Sequence, residues 1–394
     1  MTLEALKEEL LARWLTAYDE INTLENYQDQ TVSWVYADRF MFDLSTYTKE
    51  GFPPGKGLLN EPPSEGEYFT WGLDAVGRPC YYNGRNIWKG FFTYSDGLVE
   101  YVDYDIDAAI PNRIVRIVYQ DGRKVSYQRF SINGGTWRVK NPGNTKEDKL
   151  RRLMKDSSAV ICSVEQYHYE GDHIAYADCL FTYGKEKHYS TNTYTYTTTG
   201  DLYNITRIDP NGSRRCLYAQ PITDITLEEL QEEVAHRMAA DVVNTLVAYD
   251  VDVPLAVLEI GYRVIANYMP MLRVVSQANW RAYVQENGEE ELFALLVIGG
   301  DSDYIELIPQ KSDHLFTAFT TDLKAQDIYE PAEAMIRRVG QLLTAGLVAA
   351  KLPVTEDFIA FAADWSMADD LAEVLKDGGM PEKQVANWRE RGII

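Results

Sequence analysis

At 394 residues the chain is long enough for two to three domains, and a hydrophobic fraction of 45% excludes global disorder. The formal net charge of -22 is unevenly spread: from Ile225 onward there are 29 Asp/Glu against 13 Lys/Arg, and before it 31 against 25. A field of that sign repels phosphate backbones, which excludes nucleic acid as the main ligand, and it speeds encounter with a basic protein partner.

The chain opens on MTLEALKEELLARWL, an acidic amphipathic pattern without a basic leader, so no signal peptide is predicted. Leu3, Leu6, Leu10, Trp14, Leu15, Tyr18 and Ile21 recur at helical spacing and mark one face of a helix between Thr2 and Leu24. Trp34 to Tyr47 fits a helix or a strand. Gly51 to Glu67 is too rich in Pro and Gly for regular structure, and its GKG is no phosphate loop, because Gly57 stands where Ser or Thr must follow the lysine.

From Tyr68 to Phe130 the pattern becomes strands punctuated by DAVGRP, YNGRN, YSDG and YQDG. Asn-Gly and Asp-Gly between β-branched and aromatic runs predict hairpins, because glycine tolerates the positive φ of tight turns. Asn133 to Asp156 interrupts the strands with two loops and a short charged helix, KEDKLRRLMKD. A second meander follows: Val160 to His168, His173 to Tyr183, Tyr189 to Thr197, Leu202 to Ile208 and Arg214 to Tyr218. Of the 27 tyrosines, 17 lie between Tyr68 and Tyr218, as suits a pleated surface with hydroxyls reaching water or a partner. Roughly ten or eleven strands in one sheet predict a strongly curved antiparallel sheet or barrel-like body.

Composition shifts near Ile222, so residues 1–221 are predicted as a helical segment plus antiparallel β domain, and 222–394 as an acidic α+β domain. Thr226 and Glu229 form a capping-box pattern for a helix buried through Leu227, Leu230, Val234, Met238, Val242 and Leu246. A second helix is predicted from Pro254 to about Tyr268, with proline in its first turn. Glu291 to Ile298 and Tyr304 to Ile308 read as a hairpin around GGDSD. Pro331 to Ala350 reads as a helix, Thr355 to Trp365 is open, and Met367 to Arg391 is helical. The most apolar run, Pro254 to Met271, holds Glu259 and Arg263, so no membrane insertion is predicted. Four cysteines without CxxC spacing suit a reduced, cytoplasmic protein.

Cys162, His168, His173 and Cys179 look at first like a zinc set. A turn centred on Glu170 and Gly171 makes residues whose numbers sum to 341 face each other, which pairs His168 with His173 and Cys162 with Cys179. The two pairs would then stand about 20 Å apart, too far for one tetrahedral site. The preferred reading of His168 and His173 is exposed turn residues; a metal beside Asp172 is the alternative, as a Cys162–Cys179 disulfide is to a buried reduced pair. Glu232 and Glu233 precede His236 on one helix face, and Asp301/Asp303 and Asp369/Asp370 are paired, but turns, caps and solvated faces explain them better than a metal or acid pair. No catalytic motif is found, and no cofactor is predicted.

The turns Tyr94-Ser-Asp-Gly97, Tyr119-Gln-Asp-Gly-Arg123 and Asp74-Ala-Val-Gly-Arg78 resemble the YD repeats of bacterial polymorphic toxins; their starts lie 20 and 25 residues apart. The stretch ending DFIAFAADWSMADDLAEVLKDGG is similar to the C-terminal parts of immunity proteins that accompany such toxins. That resemblance implies a non-enzymatic, cytoplasmic, protein-binding chain that neutralises a basic toxin. The alternative is a small-ligand carrier or enzyme with its site in the concavity of the sheet. Candidate ligand or partner residues are Trp71, Trp88, Trp137, Tyr167, Tyr194 and Tyr196, with His168 and His173.

Overall fold

The structure, a computed structural model, describes residues 2–37, 42, 44, 58–62, 64, 68–132, 145–155, 160–263, 267–289, 304–307, 313–326, 328, 330–364 and 370–394. The chain forms two compact units, Met1–Leu217 and Tyr218–Ile394. The whole is α+β.

The first unit begins with α1 (Leu3–Tyr18), capped where the Thr2 side chain accepts from the Ala5 amide at 3.2 Å. A single 3-10 turn (Ile21–Thr23) leads into α2 (Leu24–Asp29). Seven strands follow: β1 (Ser33–Ala37), β2 (Phe69–Leu73), β3 (Pro79–Gly84), β4 (Trp88–Ser95), β5 (Leu98–Asp105), β6 (Ile110–Gln120) and β7 (Arg123–Ile132). After α3 (Lys146–Lys155) come β8 (Val160–Glu170), β9 (His173–Tyr183), β10 (Glu186–Tyr196), β11 (Leu202–Ile208) and β12 (Arg214–Ala219). All twelve join one antiparallel sheet in strict sequence order, β1 to β12.

Turn chemistry sets that order. In Asp74–Arg78, Thr197–Asp201 and Asp209–Ser213 the first residue's amide donates to the fifth carbonyl, at 2.8, 2.8 and 2.9 Å. The fourth residue is glycine at φ 81, 86 and 83°, a backbone that side chains resist. The first of these turns and the β6–β7 turn share a further device. Arg78 lies 4.2 Å from the Tyr94 ring, whose hydroxyl donates to Pro79 O at 2.7 Å; Arg123 lies 5.3 Å from the Tyr169 ring, whose hydroxyl donates to Lys124 O at 2.9 Å. The same arginine-on-tyrosine clasp thus ties a turn to a neighbouring strand twice.

Each sheet face carries its own core. On one, Leu6, Leu10 and Trp14 of α1 pack with Phe91, Val102, Tyr104, Ile114 and Phe130; the Trp14 indole donates to Pro111 O at 3.0 Å. On the other, Trp71, Tyr82, Phe92, Tyr101, Tyr127 and Tyr167 form an aromatic layer with Phe42 and Leu44. The predicted barrel-like curl is not formed: β1 and β12 end an open order and no sheet is strongly curled. With apolar residues buried on both faces, the sheet gains its burial without rolling one face inward.

The predicted register between β8 and β9 is also corrected. The turn is Gly171–Asp172, with Gly171 at φ 61°, and paired numbers sum to 344 up to a bulge at His168/Tyr169. His168 therefore faces Tyr176, His173 faces Glu170, Cys162 faces Thr182 and Cys179 faces Glu165. Because three is odd, the slip beyond the bulge puts Cys162 and Cys179 on opposite faces. Cys162 lies in the helix-side core and Cys179 in the aromatic layer, and both are free thiols.

The second unit opens with α4 (Leu227–Ala248), where the expected capping box is present: Glu229 N donates to Thr226 Oγ1 at 3.2 Å and Thr226 N to Glu229 Oε2 at 2.8 Å. Then come β13 (Leu255–Arg263), β14 (Asn267–Ser276), α5 (Gln277–Asn287), β15 (Tyr304–Leu307), α6 (Asp313–Gln326), α7 (Glu330–Ala349), β16 (Val354–Asp364), α8 (Leu371–Asp377) and α9 (Glu382–Glu390). The sheet order is β15-β14-β13-β16, with β13 and β16 parallel. The helix predicted from Pro254 is therefore a central strand. Leu258 and Ile260 pack with α4, α6 and α7, while Val257 packs with α8 and α9; burial on both faces produced an apolar run without alternation. The expected strand 291–298 lies outside the described residues. Among the described residues no helix is long and apolar enough to cross a membrane.

Candidate partner surfaces

The structure does not bring the aromatic residues singled out from the sequence to one surface. Trp71 is fully buried, packed on Phe42 and Tyr82 at ring separations of 5.4 and 5.8 Å. Trp88 is half-buried against the same layer. Tyr167 is buried, and Tyr194 packs on it at 6.4 Å. Tyr196 packs on His173 at 4.4 Å with the rings tilted, near the turn Gly200 closes. His168 stacks on Tyr176 at 4.3 Å and meets Asp178 through Nε2 at 3.0 Å. The two histidines thus have different partners. Trp137, with Asp301, Asp303 and Asp369, lies outside the described residues, while Asp370 caps α8 by accepting from the Ala372 amide at 2.9 Å.

The aromatic layer hides a pattern that sequence reading missed. Tyr101 donates to Asp103 Oδ2 at 2.7 Å, and Tyr167 donates to Glu165 Oε2 at 2.7 Å. Both carboxylates are buried and two residues from their tyrosine, on one face of the sheet. Tyr-x-Asp in β5 and Glu-x-Tyr in β8 was the available signal. Burial raises the pKa of both acids, and the tyrosine bond only partly opposes it. Burial likewise pushes the Cys162 thiol up to about 11, leaving it protonated and unreactive.

A raised carboxyl pKa has a definite sign. Above about pH 4.3 the unfolded Glu165 releases its proton while the folded one retains it, so stability falls as pH rises towards the folded pKa. Glu165→Gln keeps an acceptor for Tyr167 and removes the titration. Urea midpoints between about pH 4 and 8 should show the variant gaining on the parent as pH rises, then levelling off. A difference independent of pH would show that Glu165 is not held protonated by its surroundings.

In the second unit, the Glu232/Glu233/His236 face is solvated. His236 meets Glu232 at 3.0 Å, Arg237 meets Glu233 at 3.0 Å, and Glu232 also joins α4 to α7 through Arg338 at 2.9 Å. Among the described residues no group of three or more His, Cys, Asp or Glu is placed to hold a metal. A different surface lies just beyond. Val247, Tyr249 and Val253 are 50, 49 and 36% exposed, and Asp250 and Asp252, exposed too, lie between Tyr249 and Val253 in the chain. α4 ends at Ala248 and β13 begins at Leu255, so this strip spans the last turn of α4 and the connection to β13. Apolar anchors set among carboxylates, on the acidic half of the chain, suit a basic protein surface. No family model and no curated protein matches the chain.

Proposed function

We propose that the chain is a non-enzymatic, cytoplasmic binding protein for a basic protein partner, acting as an immunity protein that neutralises a basic toxin. The observation that carries this reading is the Val247–Val253 strip, where exposed Val247, Tyr249 and Val253 flank exposed Asp250 and Asp252 within the net-negative C-terminal half. Long-range attraction would steer the partner to this half of the chain, and Tyr249 would anchor it. The YD-like turns and their arginine–tyrosine clasps support the link to polymorphic toxins.

The test is to isolate the partner from the native host on immobilised full-length protein and measure association at several salt concentrations. A basic partner whose association rate falls about tenfold or more between 50 and 500 mM salt is the expected result. Tyr249→Ala should speed dissociation and weaken the complex about tenfold or more. An acidic or neutral partner, or a rate indifferent to salt, counts against the reading.

A further inference from the structure

The second unit holds a cleft of about 380 Å³ between α5, β16 and α9. It opens because β16 bulges. Leu255 pairs with Val354 but Val257 pairs with Ile359, so residues 355–358 stand opposite Ala256 alone. Bulges of this kind re-aim side chains out of the ladder, and here Thr355 and Asp357 line one wall of the cleft. The other wall is α5, which contributes Gln277, Trp280, Arg281 and Gln285. Trp388 of α9 stacks on Trp280 at 6.2 Å and 23°, and an ion pair between Arg391 and Glu289 fastens the end of α9 to the chain just after α5.

Two features mark the cleft as a binding site. First, among the described residues Arg281 and Asp357 each lack a hydrogen-bond or ion-pair partner, and although both line this cleft they stand too far apart to pair with each other. Second, Thr355 Oγ1 is buried there with no partner among the described residues, a cost that a guest's polar group would relieve. Arg281 and Asp357 thus line the cleft together with the apolar Val257 and Ile359, while its other carboxylate, Glu289, is paired with Arg391.

We infer that this cleft binds a free α-amino acid, with its carboxylate on Arg281, its ammonium on Asp357 and an apolar or aromatic side chain against Trp280 and the floor. A zwitterion satisfies both charges at once, and charge-assisted hydrogen bonds are roughly twice as strong as neutral ones. A phosphorylated guest would meet the negative field of this half of the chain, and a neutral sugar would leave both charges unused. The volume falls within the usual small-ligand range of about 300–1,000 Å³. The site does not involve the Val247–Val253 strip, so it stands whether or not a protein partner docks there.

Calorimetric titration of the full chain tests this. The probes are L-phenylalanine, L-leucine, the doubly capped N-acetyl-L-phenylalanine amide, and glucose. The free amino acids should bind saturably and the capped derivative and glucose should not. Arg281→Ala and Asp357→Asn, both at exposed positions, should each weaken binding about tenfold or more with an unchanged circular dichroism spectrum. Equal binding of the capped derivative, binding of glucose in place of the amino acids, or no binding by either free amino acid below about 10 mM overturns the inference.

Discussion

Glu100→Ala should cost the first unit about 3–5 kcal/mol, because it strands two arginines against the sheet. Glu100 is 3% exposed on β5, under α1. Arg13 reaches both of its oxygens through Nε at 3.0 Å and one through Nη2 at 2.7 Å, while Arg116 Nε lies 3.0 Å from Oε2. Each arginine has a second acid further out: Arg13 meets Glu20 at 2.8 Å and Arg116 meets Glu9 at 2.9 Å. Burial alone would lower the Arg13 pKa, yet its bonds to Glu100 and Glu20 raise it overall. Glu100 is thus the only buried anion of the five-residue bridge, and its loss leaves both arginines with only the partly exposed Glu20 and Glu9 as counter-charges. Urea unfolding of the variant checks it, with Glu100→Gln expected to fall between variant and parent. A loss under about 1 kcal/mol would mean that Glu9 and Glu20 take over its role.

The second unit should respond as strongly to Glu259→Ala, again by about 3–5 kcal/mol. Glu259 and Arg273 are paired residues on β13 and β14, joined at 2.7 Å with side chains 2 and 8% exposed. Burial lowers the Arg273 pKa and the Glu259 charge pulls it back up. Removing that charge leaves the guanidinium on the sheet face that carries Phe361, the face packed on α8 and α9. Hydrogen exchange resolves the effect by segment: amides of β13, β14 and β16 should lose protection, while those of β5 and β6 keep theirs. Uniform loss across both groups would contradict the placement of the effect in this unit's core.

The meander was legible because its information is local. Each hairpin carries its own glycine or Asx signal, and alternation then fixes which residues share a face. Capping was equally local, which is why Thr226 and Glu229 could be paired by eye. What failed needed distant partners. The Pro254 segment looks helical until β16, about a hundred residues later in the chain, supplies the parallel neighbour that buries its second face. Register failed at a single turn: the loop at Gly171–Asp172 sits one residue beyond the predicted centre, and the bulge at His168 adds a further step. The aromatic candidates failed for a third reason. Tyrosine and tryptophan at alternate positions describe a buried layer as well as an exposed one, and only the cover on that face separates the two. The cleft at β16 was invisible, since its bulge follows from pairing rather than from glycine or proline.

The neighbour order of the two sheets bears on how each unit is made. Every strand of the first sheet adds to the one synthesised immediately before it, so all pairings but β1–β2 and β7–β8 close only a short stretch of chain. Such a sheet can zip up from its N-terminal edge as the polypeptide emerges from the ribosome. The second sheet has no such route, because its central strand waits for β16 before both edges are paired. During synthesis β13 therefore passes through a period with one apolar edge open, and the acidity of this half of the chain would then keep nascent copies from adding to one another.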